Sequence, residues 1–235
     1  MESLEVRTQM RNGITSDPVS PVELPAARLG ARLFSIGHSH HTVEAFVTLL
    51  RGAGVTAVAD VRSSPYSRRL PQFNRYQIEA ELHAAGIAYL FLGAQLGGRP
   101  QSDALFDEQG VVDYERVRQT ASFQQGLTQL IHELQRHTVA MLCAEEDPLD
   151  CHRGLMIAPA LVELGIAACH LRRDGSVETM TELEDRLLRE TKLAARLVPD
   201  LFTPTPSRAD VLGEAYRLMS GKKAYRQHDD HVEQP

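Results

Sequence analysis

The sequence predicts an α/β protein: a mostly parallel sheet with helices on both faces and a ligand site at the carboxyl ends of its strands. Three observations carry this expectation. Short apolar runs alternate with helix-length amphipathic segments in a βαβαβ rhythm from Ala31 onward. Polar, reactive residues follow three of those runs at once, as Gly37-His38-Ser39, Asp60-Val61-Arg62-Ser63-Ser64 and Cys143-Ala144-Glu145. The stretch VAMLCAEEDPLDCHRG, from Val139 to Gly154, reads as a fully covered strand running into a loop crowded with thiols, carboxylates, a histidine and an arginine.

The elements follow in order. Residues 1–30 contain Asn12-Gly13, Asp17-Pro18, Ser20-Pro21 and Leu24-Pro25, punctuation that opposes helix and strand alike, so a disordered leader is expected. A single domain is expected over residues 31–198. Arg32 to Ile36 reads as strand, Val43 to Arg51 as helix, Val55 to Val61 as strand, Tyr76 to Ala85 as helix and Ile87 to Leu92 as strand. The polar segment from Gly93 to Val112, with Gly97-Gly98-Arg99-Pro100, is longer than the usual connection and is expected to act as a lid or substrate loop. Asp113 to Arg136 predicts helix interrupted around Ser122 to Gly126, followed by the Val139 strand and a helix from Leu155 to Leu164. A strand at Ala167 to Leu171, a turn at Asp174-Gly175, a short strand at Val177 to Thr179 and a helix from Glu182 to Leu197 complete the domain. Residues 199–235 are expected to form an extension with a docked amphipathic piece at Ala209 to Met219 and a loose tail carrying His228 and His231.

Composition bounds the function. The chain has 235 residues, 43% hydrophobic and 24% charged, enough for one substantial core. No apolar run approaches the ~20 residues that span a bilayer, and the first residues are too polar for a secretory signal, so a cytoplasmic location without membrane contact is expected. Three cysteines at uneven spacing argue against a disulfide framework. A net charge of −6 opposes nonspecific coating of nucleic acid. One local basic patch survives: Arg62, Arg68, Arg69 and Arg75 interleave with Tyr66, Phe73 and Tyr76, either a nucleotide-stacking surface or a solvated arginine loop.

In parallel sheets, loops and helix starts gather at the carboxyl ends of the strands, and ligands bind there. Cys151 is the sharpest candidate nucleophile, because His152 and Arg153 flank it at an expected helix start where positive charge and free N–H groups favour a thiolate. A buried packing cysteine is the bland alternative. Glu145 is the acid–base candidate nearest the buried strand. His38 suits an acid, base or phosphate donor, and Asp60 and Arg62 could orient a ligand hydroxyl and phosphate or simply pair to stiffen the loop. Ser39, Ser63, Arg69, Phe73, Asn74, His152 and Arg153 complete the expected substrate-binding set. Cys143, Cys151 and His152 offer three metal donors, with His38 as a fourth, although the spacing is unlike a zinc knuckle and no metal or other cofactor is assigned.

The set SIGHS, ADVRSSPYSRR with PQFN, LGGRP, LCAEEDPLDCHR and the late HLRRDG closely resembles the bacterial and archaeal proteins grouped as the domain of unknown function 488 family. The resemblance runs from Leu33 to Met180. It implies a shared site of His38, Ser39, Asp60, Arg62, Phe73, Asn74, Cys143, Glu145, Cys151, His152 and Arg153, and implies no particular reaction.

Three functions fit these residues. The first is a hydrolase or transferase acting on a phosphate-bearing ligand, such as a nucleotide, a nucleotide-derived cofactor or an exposed nucleic-acid base, with Cys151 or Glu145 as the reactive group. The second is a rhodanese-like sulfurtransferase, since ADVRS and CHRG partly match a DVR segment and an active-cysteine loop, although Gly154 is followed by Leu155, Met156 and Ile157 rather than a glycine-containing cradle. The third is a noncatalytic nucleotide or nucleic-acid binding module that contains a metal or none.

Overall fold

The computed structural model describes residues 33–199 and 204–227. The leader over residues 1–30 and the tail histidines His228 and His231 lie outside the described residues. A six-stranded sheet runs in the order β3-β2-β4-β1-β5-β6. Its strands are β1 (Leu33–Gly37), β2 (Ala57–Asp60), β3 (Ala88–Phe91), β4 (Val139–Cys143), β5 (Ala168–Leu171) and β6 (Val177–Glu178). The first five are parallel, and β6 turns back antiparallel on β5.

Helices cover both faces. On one side, α1 (Val43–Gly52) and α2 (Arg75–Ala84) bury Phe46, Leu50, Ile78 and Leu82 against Phe34, Ile36, Val58, Ala140 and Leu142. The other side is longer in the making. The chain passes through α3 (Gly93–Leu96), α4 (Tyr114–Arg118) and α5 (Ala121–Leu134), and later adds α6 (Ala158–Glu163), α7 (Met180–Glu190) and α8 (Arg208–Lys223). Leu127, Leu130, Ile131 and Leu134 of α5 pack there with Ala57, Ala59, Val139 and Met141, each large side chain contributing about 1.5–3 kcal/mol of burial. Val211, Ala215 and Met219 place α8 in the same core. β1 and β4 are buried at every position because both of their faces are covered, which is why they read as continuous apolar runs.

Four expectations need correction. The break in the 113–136 helix falls at Gln119-Thr120, where Thr120 Oγ1 caps α5 by accepting the Phe123 N–H at 3.2 Å, and not around Ser122 to Gly126. Gly126 is inside α5 as a packing glycine: a Cβ there would lie 2.8 Å from the Leu96 side chain of α3. The helix expected to Leu197 ends at Glu190, and after Lys192 at φ 62° the chain forms a separate 3-10 turn over Ala194–Leu197. The Gly93–Val112 segment is no free polar lid, since it buries Leu96, Phe106, Val111 and Val112 and bridges Phe106 to Val112 and Val111 to Arg226.

The Leu155 helix begins two residues earlier than expected, as a π-helical turn over Arg153–Ile157 that leads into α6. Pro159 has no N–H to continue an ordinary α ladder back to Leu155, and the looser π register accommodates that loss. Among the described residues, no helix is long and apolar enough to cross a membrane.

Candidate functional site

β2, β4 and β1 are neighbours, so their carboxyl ends adjoin. Gly37 is in register with Cys143, and Asp60 with Leu142. The pairing continues into the loops: the N–H groups of His38 and Ser39 donate to the carbonyls of Cys143 and Ala144, both at 2.9 Å. Gly37 permits this approach, because a Cβ on it would lie 1.7 Å from the Glu145 carbonyl oxygen. Residues distant in sequence therefore do gather on one rim, but alternation along the strands divides them into two networks.

The first network surrounds Asp60, which is fully buried. Its Oδ1 accepts from Arg62 Nε–H at 2.9 Å, and its Oδ2 accepts from Arg62 Nη2 at 2.6 Å and from the Tyr89 hydroxyl at 2.8 Å. Arg62 Nη1 donates to the Phe73 carbonyl at 2.8 Å, so all three guanidinium nitrogens are engaged inside the protein. Phe73 stacks on His38 with ring centroids 4.4 Å apart and an interplanar angle of 10°. Burial and the nearby Arg62 charge hold His38 down to about 4, so it is neutral at pH 7. Asn74 Oδ1 accepts the Ser67 N–H at 2.6 Å, and Ser63 Oγ accepts the Arg99 N–H at 2.9 Å. Ser39, half-buried, adopts φ 40° at the turn. Of the expected ligand contacts, Arg62, Phe73 and Asn74 thus serve the fold, while Arg69 remains exposed.

The second network is built on β4 and its loop. Cys143 Sγ lies 3.0 Å from Glu145 Oε2 and 3.7 Å from His152 Nδ1, and Cys151 Sγ lies 3.8 Å from the same nitrogen. His152 Nε2 bonds the Val61 carbonyl at 2.9 Å, an oxygen that only accepts, so this nitrogen carries a proton and Nδ1 faces both sulfurs. The Val61 carbonyl also ties this network to the β2 end. Arg153, 1% exposed, donates Nη1 to the Glu145 carbonyl and Nη2 to the Glu146 carbonyl, both at 2.7 Å, and Nε to Ser35 Oγ at 3.3 Å. Its guanidinium is a clamp on the loop rather than an open anion holder. The backbone N–H groups expected to face an anion are also engaged: Gly154 and Leu155 both donate to the Cys151 carbonyl, and the Arg153 N–H points at Cys151 Sγ at 3.4 Å.

Charge separates the two thiols. Burial opposes ionisation of Cys151, but the Cys143 hydrogen bond, Arg153 and His152 outweigh it and hold Cys151 well below the usual thiol value. Burial and the bond to Cys151 push Cys143 well above it. One thiolate is stabilised and one thiol is kept. Glu145 is exposed as a residue, yet its carboxyl turns inward, and desolvation followed by the Cys151 charge raises it. His152 is raised because Cys151 and Glu145 overcome the cost of burial.

The loop is anchored on its outer side by Asp147, which pairs with Arg186 at 2.8 Å and Arg172 at 3.2 Å. Beneath it, Ser35 Oγ hydrogen-bonds His170 Nδ1 at 2.7 Å. Burial, then Arg153 and Arg172, lower His170 to about 3. The unfolded chain takes up a proton near 6.5 where the folded one does not, so this stabilisation is present above pH 6.5 and is lost as pH falls towards 3. Urea titrations across that window are expected to show declining stability in the native protein and a flatter slope in His170→Gln; equal slopes would remove the assignment.

Sequence reasoning missed three participants. Tyr114, at the start of α4, is buried, and desolvation followed by the charges of Cys151, Cys143 and Glu145 raises its phenol. Nothing in the DYERV spacing marks it. Tyr89 completes the Asp60 shell, and Gly98 lies against the His152 ring, where a Cβ would meet Cγ at 2.9 Å. A cavity of about 470 Å³ lies behind Tyr114 and Leu155, lined also by Tyr216 and Pro159. None of the expected site residues lines it.

Comparison with known families matches residues 42–158 to the one described as "Domain of unknown function DUF488". That span includes β2, β4 and both thiols, and leaves His38, Ser39 and the HLRRDG segment outside. Neither a curated protein nor a solved structure matched the chain.

Proposed function

Since residues 42–158 of this chain form a domain of the DUF488 family, whose description assigns no activity, we propose a function from the site's own chemistry: a hydrolase or transferase that uses Cys151 as nucleophile on a phosphate-bearing ligand. One observation carries this reading. Cys151 Sγ sits at a strand-end rim with the Arg153 N–H at 3.4 Å, His152 Nδ1 at 3.8 Å and a second thiol alongside, the surroundings that favour a thiolate. Its sulfur attacks the electrophilic carbon or phosphorus of the ligand, the bond to the leaving group breaks, and Glu145 in its acid form protonates that group. Water or a second acceptor then releases Cys151, and Glu145 recovers its proton.

Arg62 and Arg153 are engaged internally, so anion holding falls to Arg69 with Arg68. Both are exposed, as are Tyr66 and Tyr76 at 68% and 79%, whose rings are open to stack on a base or sugar. The sulfurtransferase reading shares the same thiolate, but the N–H groups after Cys151 close on its own carbonyl rather than forming a cradle for a persulfide.

Iodoacetamide at pH 7 in the presence of a chelator, followed by peptide mass spectrometry, tests the nucleophile. Cys151 is buried and Cys169 half-buried, so exposure favours Cys169; Cys151 is nonetheless expected to be alkylated at least ~10-fold faster, because thiolate and not thiol reacts. Equal or slower labelling of Cys151 would sink the proposal.

A further inference from the structure

The same thiols carry a second role that does not depend on turnover. We propose that Cys143 Sγ, Cys151 Sγ and His152 Nδ1 form a three-ligand site for a zinc-like divalent cation, with the fourth position left to solvent or a bound ligand.

Four observations converge on it. The donor atoms of the three residues lie within 4.8 Å of one another, close enough for a single ion to reach all of them after small side-chain adjustments. Two sulfurs and one imidazole are a donor set that selects zinc-class ions over magnesium or calcium, which take oxygen. The His152 ring is oriented by its outer nitrogen, whose N–H donates to the Val61 carbonyl at 2.9 Å and leaves Nδ1 aimed at both sulfurs. Such a backbone partner on the far nitrogen is what metal-bound histidines ordinarily have. Finally, the donors are held by fixed elements: Cys143 ends the central strand β4, and Cys151 and His152 follow a 3-10 turn over Pro148–Asp150 anchored by Asp147 and clamped by Arg153. A site prepared in this way needs little reordering to bind.

Glu145 stands next to this set and not in it. Its Oε2 is 3.0 Å from Cys143 Sγ, placed to receive a proton from that thiol or from a molecule at the fourth position. On binding, the cation displaces the protons of the Cys143 thiol and of His152 Nδ1 where present, two S–metal bonds and one N–metal bond form, and no oxidation is involved. The arrangement also makes metal binding and nucleophilic attack compete for Cys151. The two cysteines are eight positions apart, and no CxxC pattern was needed because the strand and the turn fold back to bring them together.

Co(II) as a spectroscopic stand-in decides the matter. Full-length protein is stripped with a chelator under a phosphine reductant and titrated with Co(II). The expected result is one Co(II) per chain, with sulfur-to-cobalt charge-transfer absorption and the strong visible bands of four-coordinate cobalt, lost on adding one equivalent of Zn(II). Cys143→Ser, Cys151→Ser and His152→Ala are each expected to weaken Zn(II) binding at least ~100-fold in chelator competition. Cys169→Ser should bind as the parent does. Circular dichroism and thermal melts of the metal-free variants separate lost ligands from lost fold, and a variant that fails to fold is replaced by Cys→Ala at the same position. Absent charge transfer, weak six-coordinate bands, or unimpaired binding after removal of either cysteine would overturn the inference. The alkylation experiment is run on metal-free protein, so slow labelling bears on the nucleophile alone and a missing cobalt spectrum on the metal site alone.

Discussion

Arg153→Met is expected to destabilise the protein by about 3–5 kcal/mol, because it leaves the Glu145 and Glu146 carbonyls and Ser35 Oγ without their buried donor. A methionine fills much of the same volume, so the loss isolates the hydrogen bonds and the charge from packing. Arg153→Lys keeps the charge but replaces a planar fork by a single ammonium, which cannot reach both carbonyls and the hydroxyl together; it should recover less than half of the loss. Urea denaturation read by circular dichroism measures both. The loop that carries Cys151 depends on the same clamp, so alkylation of Cys151 in Arg153→Met should lose its advantage over Cys169. A loss below about 1 kcal/mol would mean that water reaches those carbonyls and that Arg153 is free for a ligand.

Asp60→Asn is the second large effect, with an expected cost of about 3–5 kcal/mol. Asp60 and Arg62 form a salt bridge at 2.6 Å with side-chain exposures of 0% and 7%, and the neutral amide leaves the arginine as an uncompensated charge in the same place. The amide also offers an N–H where Asp60 accepted from the Tyr89 hydroxyl. The control is removal of the whole group: Asp60→Leu, Arg62→Met and Tyr89→Phe together should cost less than Asp60→Asn alone, since a buried pair replaced by apolar side chains is often near neutral. If the single change proves harmless while the triple change is severe, Arg62 finds another partner and the pair is not what holds the β2 end.

Much of the rim was legible from residue order. A buried strand must stop where polar residues begin, and the carboxyl ends of parallel strands share one edge, so Gly37-His38, Asp60-Arg62 and Cys143-Glu145 were expected on that edge; that they adjoin follows from the strand order β2-β4-β1, which residue order does not fix. Which of these groups would face a ligand was not legible. Arg62 and Arg153 look identical to anion-binding arginines in the sequence, and only the positions of Asp60, Phe73 and the Glu145-Glu146 carbonyls show where their donors go. Gly126 is similar: helix propensity marks it as a weak point, while its contact with Leu96 comes from a segment some thirty residues earlier. Tyr114 could not have been found at all, because α4 meets the π-helical turn only through tertiary packing.

By itself, the sequence determined the layered α/β architecture, the apolar strands covered on two sides and the loop that bears the reactive groups, since these follow from local periodicity and from the rule that buried faces need partners. The tertiary structure alone decided which polar groups neutralise one another and which remain for chemistry. A hydrogen bond or an ion pair requires segments far apart in the chain to be placed to within a few tenths of an ångström, and no spacing along the chain encodes that placement.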